Sequence, residues 1–198
     1  MIRTLVLSSH TALVAAALAF ASAAHAQCSY SWPSPSFGGG CNDVANCATV
    51  DGNGDLVVGG RFVTAGGMAM ARIGRWDGAA WNQLGSGMNG DVVALATLAN
   101  GAVVAGGVFT TAGGITVNGI ARWNGSSWSA FGTGLDAFLP FGPSVQAVLE
   151  MPNGDIIVGG SFSGVNGVAA TNIARFDGST WHPLATGLNG PVRDMALS

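Results

Sequence analysis

Gly59-Gly60-Arg61-Phe62 returns as Gly106-Gly107-Val108-Phe109 and again as Gly159-Gly160-Ser161-Phe162, at spacings of 47 and 53 residues. Working outward, the same two spacings link Arg75-Trp76-Asp77-Gly78 to Arg122-Trp123-Asn124-Gly125 and to Arg175-Phe176-Asp177-Gly178. They also link Trp81, Trp128 and Trp181, and Gly87, Gly134 and Gly187. Self-similarity at a fixed period marks an array of units, each burying its apolar face against the next. The excess in the second interval falls in Phe138-Leu139-Pro140-Phe141-Gly142-Pro143-Ser144, a loop by its Pro and Gly content.

Each unit reads as four short strands. The first is Val92–Leu98, matched by Val145–Met151 and Val192–Leu197, and Cys47 falls in the column of Leu95, Val148 and Met195. Asn-Gly turns such as Asn100-Gly101 and Asn153-Gly154 tolerate the positive φ of a tight hairpin and lead into the β-branched strand ending in Gly-Gly-x-Phe. A looser Gly-containing loop leads to the third strand, Ile120–Trp123 in the second unit. A further Asn-Gly or Asp-Gly turn leads to the fourth, which carries the second Trp. No helical period survives past residue 26, and strands recur at the spacing of all-β folds.

Four antiparallel strands per unit of this length make one blade of a β-propeller. The expected fold is an all-β, propeller-like array of four-stranded antiparallel blades: 44–91, 92–144, 145–191 and the start of another at 192–198. The pattern Val-x-Gly-Gly-x-Phe, Ile-Ala-Arg-Trp, second Trp and Leu-x-x-Gly resembles kelch-like propeller repeats. It is closer to the delta-60 type of secreted bacterial proteins, although the gap between Gly-Gly and the first Trp is wider than in kelch. The resemblance covers about residues 44–197 and implies a binding or surface protein. Three blades and a strand fall short of the smallest usual ring, so the expectation is an incomplete ring, part of a larger propeller.

Residues 1–26 contain none of the 32 glycines. Met1-Ile2-Arg3 is a short positive start, Ala12–Ala21 is apolar, and Ala24-His25-Ala26 supplies a signal-peptidase site before Gln27. The expected product is secreted or periplasmic, with no membrane span after cleavage, because Ser8–Thr11 hold the apolar run below the roughly 20 residues a span needs. Residues 27–43 form an N-terminal leader. Its Trp32–Gly40 stretch reads either as a worn copy of Trp81–Gly87, clasping the ring, or as a plain Ser/Pro/Gly linker. Export permits disulfides, and of the three cysteines Cys28 and Cys41, flanking that leader, are the expected pair.

Charge and chemistry are sparse. Charged residues make up 9% of the chain, the net charge is -3 and there is no Lys, so nothing offers a phosphate backbone a basic field, and no nucleic-acid partner is expected. Past residue 26 stand one His (His182), one Tyr (Tyr30) and one Glu (Glu150), too few titratable groups for an expected active site. Asp51-Gly52-Asn53-Gly54-Asp55 has the oxygen spacing of a calcium loop, but Leu56 and Phe62 stand where Gly and a bidentate Glu belong, and beside Ala99–Ala102 and Pro152–Asp155 it reads as a hairpin with one extra residue. No metal and no cofactor are expected.

The Arg75, Arg122, Arg175 column reads as a packing clasp to a neighbouring blade's carbonyls or to an Asp, with bidentate ligand binding as its functional counterpart. Phe138 and Phe141 in the inserted loop are the local candidates for a contact site. The expected function is a secreted, non-catalytic scaffold binding a protein or glycan at the cell surface. The alternative is part of a glycan-active hydrolase or lyase whose catalytic residues lie outside this sequence.

Overall fold

The computed structural model describes residues 40–136 and 143–197. The signal peptide, Cys28, the clasp-or-linker stretch as far as Gly39, Phe138 and Phe141 lie outside them.

The first unit holds β1 (Ala45–Val50), β2 (Leu56–Gly60), β3 (Thr64–Ala65), β4 (Met68–Ala69), β5 (Ile73–Trp76) and β6 (Trp81–Gln83). The second holds β7 (Val92–Thr97), β8 (Val103–Gly107), β9 (Thr111–Ala112), β10 (Ile115–Thr116), β11 (Ile120–Trp123) and β12 (Trp128–Ala130). After β13 (Leu135–Asp136), the third holds β14 (Ser144–Glu150), β15 (Ile156–Ser161), β16 (Gly164–Val165), β17 (Val168–Ala169), β18 (Ile173–Phe176) and β19 (Trp181–Pro183). Three antiparallel four-stranded sheets result, ordered β1-β2-β5-β6, β7-β8-β11-β12 and β14-β15-β18-β19. The described chain is therefore all-β, a propeller-like array of four-stranded blades without a helix among the described residues.

Two local features depart from the sequence reading. The Gly-containing loop between second and third strands is itself built: β3–β4 and β9–β10 are two-stranded hairpins, and β16–β17 is joined by β13 into a three-stranded sheet. The Asp51–Asp55 turn, by sequence a hairpin with one extra residue, has the same length as its counterparts. Asp51 N donates to Asp55 O, Leu98 N to Ala102 O and Met151 N to Asp155 O, at 2.9, 2.8 and 2.7 Å.

The Gly-Gly pair has a steric cause. In each unit the first strand carries a bulge opposite it, between Ala45 and Cys47, Val92 and Ala94, and Val145 and Ala147. A Cβ on Gly59 would lie 2.5 Å from Val92 Cγ1, and one on Gly106 would collide with Val145. The first and second sheets thus each receive a Val from the next sheet into a site without a side chain. Beside the pair, Phe62, Phe109 and Phe162 are at most 1% exposed, each burial contributing about 1.5–3 kcal/mol on transfer scales.

Two apolar clusters lie between sheets. One joins Val57, Ile73, Leu84 and Met88 of the first unit to Val103, Phe109 and Trp128 of the second. The other joins Val104, Ile120, Phe131 and Leu135 to Val158, Phe162 and Trp181. A third covers the far side of the first sheet around Phe62, Met70, Trp76 and Trp81. The tryptophans also clasp neighbours: Trp128 Nε1 donates to Leu84 O (2.7 Å) and Trp181 Nε1 to Phe131 O (3.2 Å).

Candidate functional site

Polar chemistry concentrates at the hairpin tips. Where the third strand turns into the fourth, one acceptor oxygen gathers two backbone N–H groups. Asp77 Oδ1 binds those of Ala79 and Ala80, Asn124 Oδ1 those of Ser126 and Ser127, and Asp177 Oδ1 those of Ser179 and Thr180, all at 2.8–3.0 Å. This is the side-chain-closed turn that Asp and Asn favour. The donors hold the Asp77 and Asp177 carboxyls below the usual carboxylate range, backbone N–H groups first in both.

The arginine column takes its partners from within each unit. Arg75 Nε lies 3.6 Å from Asp55 Oδ2 and its Nη1 3.9 Å from Asp51 Oδ2, while Arg175 Nη1 donates to Asp155 Oδ2 at 2.7 Å. That bond, with one from Asn153, lowers the Asp155 pKa. In the second unit Leu98, Ala102 and Asn124 stand where the first has Asp51, Asp55 and Asp77, and there the Arg122 guanidinium sits 5.6 Å from the Phe131 ring centroid, in cation–π range. Contacts between sheets are made instead by Trp Nε1, by the Val-into-Gly contact and by Thr97 Oγ1, which donates to Val50 O at 2.7 Å. At the tip read as a calcium-like loop, Arg75 supplies the positive charge beside the Asp51 and Asp55 oxygens.

Among the described residues, a base, a hydroxyl and a carboxylate meet at His182. Its Nε2 is 2.7 Å from Asp177 Oδ2 and 3.0 Å from Thr180 Oγ1. A nucleophile–base–acid relay needs hydroxyl and carboxylate on opposite ring nitrogens. Here both face the same nitrogen, so the carboxylate cannot orient the ring toward the hydroxyl. Asn82 occupies this position in the first unit and donates to Asp77 Oδ2 at 2.8 Å, the same turn-bracing bond.

A groove of about 430 Å³ lies between the tips of the second and third units, lined by Ala99, Glu150, Met151–Gly154 and Leu197. Glu150 Oε2 accepts the Ala99 N–H at 2.6 Å and so ties the tips together. Among the described residues no three His, Cys, Asp or Glu side chains are grouped to hold a metal ion. No disulfide joins the two described cysteines. Cys47 lies in the seam between the first two sheets, its Sγ 3.0 Å from where a Gly59 Cβ would stand, and burial pushes its thiol pKa up to about 12.

Residues 152–179 match the family model described as a domain of unknown function (DUF5122) beta-propeller. That stretch runs from the tip of the β14–β15 hairpin through β18 to the Asp177 turn. No curated protein matches the chain. No helix among the described residues is long and apolar enough to cross a membrane.

Proposed function

We propose that this chain is a secreted, non-catalytic β-propeller of the kelch-like, delta-60 type that presents its hairpin tips and loops as a binding scaffold at the cell surface. The observation that carries the reading is the use made of the polar side chains. Asp77, Asn124 and Asp177 close turns, Asp55 and Asp155 hold arginines, Glu150 ties two tips, and His182 braces the turn that Asp177 closes. Groups fixed in this way make a rigid framework and leave recognition to loops between them, the usual division in such folds. Export rests on the Met1–Ala26 signal peptide, and a Cys28–Cys41 bridge is part of the same proposal.

The test uses the protein exported from a bacterial host. Its N-terminus, read by mass spectrometry, should be Gln27. Glycan-array and cell-surface binding should give a ligand, while incubation with the bound glycan should leave it uncleaved. Retention of residues 1–26 on the exported product would count against secretion, and cleavage of a bound glycan would move the assignment to the hydrolase or lyase reading.

A further inference from the structure

We propose that Arg61, Arg72 and Asp91 form a binding site for the carboxylate of a uronic-acid glycan, a site that rests on the scaffold reading above and gives it a ligand class. The three side chains meet at the end of the sheets away from the hairpin tips. Arg61 follows β2, Arg72 precedes β5, and Asp91 precedes β7 where the chain enters the second unit. Arg61 Nε lies 3.8 Å from Asp91 Oδ2 and Arg72 Nε 3.7 Å from Asp91 Oδ1, one guanidinium beside each oxygen. Both distances exceed hydrogen-bond reach.

This cluster is the exception among the polar groups. The carboxylates of Asp77, Asp136, Asp155 and Asp177 all accept hydrogen bonds. That of Asp91 accepts none among the described residues, and Arg72 Nε is buried without an acceptor. The Arg61 side chain is 59% exposed and that of Asp91 37%. Regular packing does not ask for these residues. Along the repeat, Val108 and Ser161 stand for Arg61, Gly119 and Asn172 for Arg72, and Ser144 and Pro191 for Asp91. Arg72 moreover holds φ 67°, a conformation Gly and Asn adopt more readily. Its hydrogen bond from Nη1 to Met88 O, 3.2 Å, is matched by Asn172 on Leu188 O at 2.9 Å. A strained residue that the fold can replace points to a functional position.

The ligand class follows from the charges and from what is already paired. Two guanidiniums against one carboxylate leave one positive charge in excess, on a chain of net charge -3. A guanidinium fork takes a carboxylate in two parallel hydrogen bonds, while the Asp91 oxygens accept from hydroxyls and repel a polyanion. A carboxylate with hydroxyls beside it is the chemistry of a uronic acid. Val108, 47% exposed with its N–H on Asp91 O, offers the sugar ring an apolar contact. A peptide strand finds no backbone to pair with, because Arg61 N is spent on Val44 O, Arg72 N on Phe62 O and Val108 N on Asp91 O.

The experiment titrates the exported chain with tetragalacturonate, its methyl ester and hexaglutamate, following the arginine Nε–Hε NMR signals and the heat of binding. Tetragalacturonate should shift the Arg61 and Arg72 signals. Esterification, Arg61→Ser and Arg72→Asn should each weaken binding about tenfold or more, the scale of a charge-assisted hydrogen bond. Both replacements are the third unit's own residues, so Tm should not fall. Equal affinity for the ester, or for hexaglutamate, overturns the proposal. So does a fall of Tm in both variants with affinity kept, which would make the cluster a structural clasp. A neutral glycan found on the array, with the two arginine signals unmoved, would leave the scaffold reading intact and sink the uronate site, so the two proposals fail separately.

Discussion

At the residue scale, the same turn is closed by Asp in two units and Asn in one, which makes acid sensitivity separable from the turn itself. The Asp177 carboxyl is held below its ordinary value of 3.8 by the Thr180 N–H, then by His182 and Ser179. A depressed folded pKa contributes stability that is present above the unfolded value and is lost as pH falls through the folded one. Asn124 performs the closure without a charge. Asp177→Asn should therefore keep the turn at pH 7 yet flatten the fall of Tm below about pH 4, where unfolded carboxyls titrate. Identical Tm–pH slopes for the two proteins would refute this account. Cys47 gives a second residue-level expectation. A thiol whose pKa is pushed up to about 12 is almost wholly protonated at pH 8, and the thiolate is the reactive form. Iodoacetamide should label Cys47 in urea and leave it unmodified in the native protein over hours; rapid native labelling would mean the seam opens readily.

At the element scale, the Gly-Gly strand end explains both the period and the packing. A methyl on Gly106 has nowhere to go beside Val145, and overpacking of this kind costs about 1–3 kcal/mol. Gly106→Ala should destabilise by that amount in urea titration, while combining it with Val145→Ala should recover part of the loss, because the two side chains compete for one space. Strictly additive losses would show that the glycine is needed for its backbone instead. The four main strands of each unit were legible because β-branched runs, Asn-Gly turns and an aromatic pair (Phe176 and Trp181 in the third unit, two Trp in the others) recur in register. The short hairpins β3–β4, β9–β10 and β16–β17 were not, since two-residue strands flanked by Gly carry no periodicity. Nor was the direction of the arginine contacts, because a repeated column looks alike whether its partner lies in the same unit or the next. Backbone geometry was hidden in the same way: Arg72 holds φ 67° where the other units have Gly119 and Asn172. Its Nη1 reaches Met88 O at 3.2 Å, the counterpart of the Asn172 bond to Leu188 O.

At the scale of the whole molecule, a stack of units touching only their neighbours has a stability that is approximately a sum of unit terms and interface terms. The second sheet has an apolar cluster on each side, with Trp128 clasping backward and Phe131 O receiving the next Trp forward. The third sheet has one such cluster, and its other flank leaves Ile173 and Leu184 half-buried and Leu188 45% exposed. Local opening is easiest where few buried apolar contacts must be broken. Native-state hydrogen exchange should therefore be slowest in β8 and β11 and measurably faster in β18 and β19. Equal protection of β11 and β18 would mean that the three sheets open only together. In that case the inter-sheet terms dominate the sum.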